Sequence, residues 1–86
     1  MDLDREHRDT VDQIFSHGDN VEWRRVRSLL DAVGTVTEEH NGRLRVKVGD
    51  ELEVLDPPHG KDVDTQMLVD LRRMLRSAGI DRTASS

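Results

Sequence analysis

The chain has 86 residues, 13 basic and 18 acidic, for a net charge of −5, with 34% apolar and 36% charged side chains. A chain this short supports one small core, burying only roughly 60% of its unfolded surface, and the absence of cysteine excludes disulfide staples and thiol chemistry. No apolar run approaches the ~20 residues of a membrane span, and Met1-Asp2-Leu3-Asp4-Arg5-Glu6 lacks the basic-then-apolar order of a secretion signal, so a cytoplasmic protein is expected.

In chain order, residues 1–18 read as a first helix. Leu3, His7, Val11, Ile14 and Phe15 recur at spacings of three or four, and Gly18 suits its stop. Asn20 is a candidate cap for a second helix with the apolar stripe Trp23, Val26, Leu29, Leu30 and Val33. Gly34 follows where a left-handed helix-ending residue is wanted. From Thr35 to Leu55 the apolar period becomes two, and Leu44, Val46 and Val48 alternate with Arg43, Arg45 and Lys47.

Turn signals at Asn41-Gly42 and Gly49-Asp50 divide this stretch into three antiparallel strands. A three-residue loop at 40–42 pairs Val36 with Val46 and Glu39 with Arg43. A matching loop at 48–50 pairs Val46 with Leu52 and Leu44 with Val54, which keeps apolar residues on one face. That register sets Arg45 beside Glu53 and Lys47 beside Glu51, a solvated ladder whose charges cancel.

Asp64 is a good cap for a last helix whose buried stripe is Met67 or Leu68, Leu71, Met74, Leu75 and Ala78. Arg72, Arg73 and Arg76 take its exposed side, and Gly79-Ile80 fits a Schellman end. Residues 81–86 are small and polar, as a mobile tail would be. The expected architecture is α+β, order α-α-β-β-β-α, with one three-stranded antiparallel sheet and helices on one face. Residues 1–20 form an added helix beside a core domain at 21–80.

Within 21–80, the stretch Leu55-Asp56-Pro57-Pro58-His59-Gly60-Lys61 and the ending Ala78-Gly79-Ile80 resemble the closing half of HicA-like (YcfA-like) toxins of type II toxin–antitoxin systems. That resemblance implies a fold similar to the double-stranded-RNA-binding domain, mRNA cleavage as the activity, RNA as ligand and a HicB-like antitoxin as partner. The family's Gly-Ser-His motif falls at Gly42-Arg43-Leu44, so its catalytic histidine position is held by Leu44. Leucine moves no proton, whereas such a step needs a group that titrates near neutral pH.

His40 in the adjacent turn and His59 in the Pro-His-Gly loop are the remaining catalytic candidates, with His59 expected to hold its loop by hydrogen bonds to backbone. Arg43, Arg45, Lys47 and Lys61 are the candidate RNA contacts, Lys61 having Asp56 and Asp62 near it in sequence as possible ion-pair partners. No residues stand at metal-ligand spacing and no cofactor motif occurs. A net acidic chain needs a local basic patch to hold RNA. The expectation is a divergent, catalytically inactive HicA-like protein associated with RNA. The alternatives are an active interferase using a relocated histidine and a non-enzymatic protein-interaction module.

Overall fold

In the computed structural model, residues 4–16 and 21–80 are described. The element order is α1 (Arg5–Phe15), α2 (Trp23–Val33), β1 (Thr35–Glu38), β2 (Leu44–Val48), β3 (Glu51–Leu55) and α3 (Thr65–Ser77). The sheet is antiparallel in the order β1-β2-β3, so β2 is central and both neighbours are edges. This is the expected α+β architecture. Leu3, His17, Gly18, the Asn20 cap and the 81–86 tail lie outside the described residues.

Amphipathic stripes decide how the layers meet. Val26, Leu29, Leu30 and Val33 of α2 and Met67, Leu71, Met74 and Leu75 of α3 are buried against Leu44, Val46 and Val48 of the sheet. The second helix packs on β1 and β2, and α3 on β3. The first helix does not touch the sheet layer in the same way; it lies across α2 and α3, burying Val11 and Ile14.

Local chemistry sets the helix ends. Asp4 and Asp64 cap α1 and α3, their carboxylates accepting from the N–H groups of His7 (3.1 Å) and Met67 (2.8 Å). The second helix has no side-chain cap at Glu22; instead, the N–H of Trp23 donates to the carbonyl of Lys61 at 2.8 Å. The last helix ends in a Schellman motif, in which Ile80 N–H donates to Leu75 C=O (2.8 Å) and Gly79 N–H to Arg76 C=O (3.0 Å).

Gly34 departs from the sequence expectation. Its φ is −161°, extended rather than left-handed. Glycine is needed there for a different reason: a Cβ would lie 2.0 Å from the carbonyl oxygen of Lys47 on β2. The turn from α2 into β1 runs against the sheet backbone, and only a residue without a side chain fits.

The two hairpins differ in how well they were anticipated. The first has the expected loop, with Val36 opposite Val46 and Glu39 N–H bonded to Arg43 C=O at 2.8 Å. The second does not. A two-residue turn, Gly49-Asp50, sets Val48 opposite Glu51, Val46 opposite Glu53, and Leu44 opposite Leu55. Gly49, at φ 60°, supplies the positive dihedral that such tight hairpins require.

The one-residue change turns β3 over. Leu52 and Val54 face solvent, 58% and 50% exposed, whereas Leu55 is buried and Glu51 and Glu53 stand half-buried on the helix side. Leu55 has the opposite parity to Leu52 and Val54, so one face of β3 cannot bury all three. The core takes Leu55. Glu53 is accommodated beside the helices because Arg73 of α3 reaches it, Nη2 to Oε1 2.9 Å.

Candidate functional site

The uncovered face of the sheet carries Thr35 and Thr37 of β1, Arg45 and Lys47 of β2, and Leu52 and Val54 of β3. Arg43 and Asp56 continue its outer rows beyond the strands. The ladder of opposite charges expected between β2 and β3 is absent, because Arg45 lies opposite Val54 and Lys47 opposite Leu52. Two of the three cations find acids elsewhere: Arg43 Nε is 2.9 Å from Asp56 Oδ1, and Arg45 Nη2 is 3.3 Å from Glu39 Oε1. Lys47 forms no ion pair among the described residues. The face is therefore a mixed one, with an apolar pair on one side and a largely neutralised basic row in the middle.

The position that the resemblance gives to a catalytic histidine is buried. Leu44 is 2% exposed and points toward the helix layer, opposite Leu55. His40 is exposed in the β1–β2 loop. His59 is exposed too, and it does not hold its loop: among the described residues its imidazole makes no polar contact. Backbone groups do that work. Trp23 N–H donates to Lys61 C=O, and Val63 N–H to Val21 C=O at 2.9 Å, so the Pro-Pro-His-Gly-Lys segment is clamped to the entrance of α2. The Lys61 side chain is exposed and pairs with neither Asp56 nor Asp62. Among the described residues, His40 and His59 thus lack the oriented partner that general acid–base catalysis uses. Among the described residues, no group of three His, Asp or Glu side chains is placed to hold a metal ion.

The arginines of α3 are occupied by packing. Arg72 Nε donates to the carbonyl of Ile14 in α1 at 2.6 Å, Arg76 lies 5.7 Å from the centre of the Phe15 ring, and Arg73 bonds Glu53. The shallow depression they line with Val69 and Ser77 lies along α3 alone.

Sequence reasoning missed the exposed pair Leu52 and Val54. The signal was present in the parity of Leu55 and in the Gly-Asp dipeptide, which favours a two-residue turn. No helix among the described residues is long and apolar enough to cross a membrane. No family model, no curated protein and no solved structure matches the chain.

Proposed function

We propose that this chain is a divergent HicA-like domain that does not cleave RNA and acts in the cytoplasm as a non-enzymatic interaction module. One observation carries the reading: the place that the resemblance gives to the catalytic imidazole is filled by Leu44, buried in the core. Two more support it. His40 and His59 stand exposed without an orienting partner among the described residues, and the cations Arg43 and Arg45 are already paired with Asp56 and Glu39. A surface whose cations are satisfied internally attracts phosphate weakly.

The second reading, a ribonuclease or RNA-associated toxin held by a HicB-like antitoxin, rests on Lys47 and Lys61, which are exposed and without ion-pair partners among the described residues. Inducible expression of the chain alone tests the choice, together with an RNA-cleavage assay and RNA titration at low salt. The module neither arrests growth nor cleaves RNA, and its RNA affinity stays weak. Growth arrest that His40→Ala or His59→Ala relieves would establish a relocated histidine and overturn the proposal.

A further inference from the structure

The outer edge of β3 combines unpaired backbone, exposed apolar side chains and a fixed charge pattern. Hydrogen-bonded and non-hydrogen-bonded pairs alternate along an antiparallel ladder. The Glu39–Arg43 pair is hydrogen-bonded, so Thr37–Arg45 and Thr35–Lys47 are as well, and the backbone groups of Arg43, Arg45 and Lys47 point to β1. Those of Leu44, Val46 and Val48 then point to β3, where they meet Leu55, Glu53 and Glu51. Leu52 and Val54 are left with N–H and C=O directed outward along an edge that no described strand pairs. The same two residues expose their side chains on the open face.

We propose that this edge accepts a fourth strand from a partner protein, an extended segment with apolar side chains on one face and basic side chains on the other; this rests on the reading of the chain as an interaction module. Backbone pairing to Leu52 and Val54 supplies the docking energy, and the alternation of side chains supplies the choice of partner. On the open face the incoming side chains lie beside Leu52 and Val54, which select apolar groups. On the helix face they lie beside Glu51 and Glu53. Glu53 is held by Arg73 and Asp56 by Arg43, while Asp50 and Glu51 have no ion pair among the described residues. The free negative charge sits at the turn end, and a basic residue belongs there.

A second copy of the chain fits this edge poorly in the register that matches the two apolar side chains. In the twofold antiparallel pairing that keeps Leu52 beside the copy's Val54, Glu53 faces its own counterpart and Asp50 faces Asp56. Like charges directly opposite destabilise a sheet. In that register the acidic residues of β3 disfavour self-pairing, a common protection of exposed edges, and leave the edge open to a strand of opposite charge. The other edge, β1, offers the open face only Thr35 and Thr37.

The test uses the full chain, isotopically labelled, titrated with a capped peptide of four Lys-Val repeats and followed by amide shifts and hydrogen exchange. The amides of Leu52 and Val54 exchange fast in the free chain and become protected on binding, whereas Glu51, Glu53 and Leu55 are protected throughout. A capped Glu-Val peptide binds at least about tenfold more weakly. So does the Lys-Val peptide to Leu52→Thr/Val54→Thr, a double substitution that keeps strand propensity, or to Glu51→Lys. Absence of protection at Leu52 and Val54, a binding site elsewhere, or equal affinity for the acidic peptide overturns the proposal. Protection of the two amides in a concentration-dependent dimer without peptide overturns it in favour of a second copy. RNA cleavage by the same preparation would remove the module reading, whereas failed peptide binding without cleavage removes only the edge assignment.

Discussion

Arg73 on α3 and Glu53 on β3 meet at 2.9 Å, and their contact joins the last helix to a strand whose polarity is inverted relative to its neighbour. Glu53 stands on the helix side, where β2 presents Val46 opposite it. Arg73 also lies 3.8 Å from Asp70, so its guanidinium is shared. The arginine side chain is 65% exposed, which limits the energy of the pair. A double-mutant cycle with Glu53→Gln and Arg73→Gln is expected to give a coupling of about 0.2–1 kcal/mol. Chemical denaturation of the four proteins measures it. A larger coupling would mean that the pair is more desolvated than its exposure indicates.

The elements of this fold were legible because their signals are local. The α2 and α3 stripes, the Asp64 cap, the Schellman ending and the first hairpin each follow from residues within a few positions of one another. The second hairpin depended on a competition that local pattern does not resolve. Counting apolar pairs favoured Leu52 and Val54 inward; the observed register buries Leu55 and spends a tight Gly49-Asp50 turn to do so. The compensation for a half-buried Glu53 comes from Arg73, 20 residues away. The Gly34 requirement was equally nonlocal, since Lys47 of another strand imposes it. The candidate site suffered most, because a one-residue slip exchanges every side chain of β3 between its faces.

Placing an imidazole at Leu44, the position that the resemblance gives to a catalytic histidine, should unfold the domain before it creates any chemistry. Leu44→His removes a buried leucine, worth about 1.5–3 kcal/mol, and leaves ring nitrogens unpaired in the core for about 1–3 kcal/mol more. Against a total stability of about 5–15 kcal/mol, with a small domain near the lower end, much of the margin is lost. Leu44→Met, similar in volume, should cost less than about 1.5 kcal/mol. Urea midpoints of the three proteins check this. A Leu44→His protein that melts like the parent would show that the side chain does not point inward.

Gly34→Ala and Gly49→Ala separate two reasons for glycine. At Gly34 the added methyl meets the Lys47 carbonyl, a backbone atom that moves only if β2 moves. Overpacking of that kind costs about 1–3 kcal/mol, and the upper end is expected. At Gly49 the space is ordinary, the nearest atom being the Ala78 methyl at 3.7 Å, and the cost is the positive φ, about 1–2 kcal/mol. Gly49→Asn, which tolerates that conformation, should recover most of the loss, and Gly34→Asn none. Thermal and urea melts distinguish the pairs.

Arg72 ties α1 to α3. Its Nε donates to the Ile14 carbonyl near the C-terminal end of α1, and Arg76 covers the Phe15 ring one turn later. A hydrogen bond from a charged donor contributes about 1.5–3 kcal/mol, the cation–π contact about 0.5–1 kcal/mol. Arg72→Ala should therefore loosen α1 more than Arg76→Ala does. Because α1 packs mainly on α2 and α3 among the described residues, the loss should stay local. Hydrogen exchange should accelerate at the amides of Val11 and Ile14 while those of Leu44 and Val46 keep their protection. Equal acceleration in β2 would show that α1 and the sheet unfold as one cooperative unit.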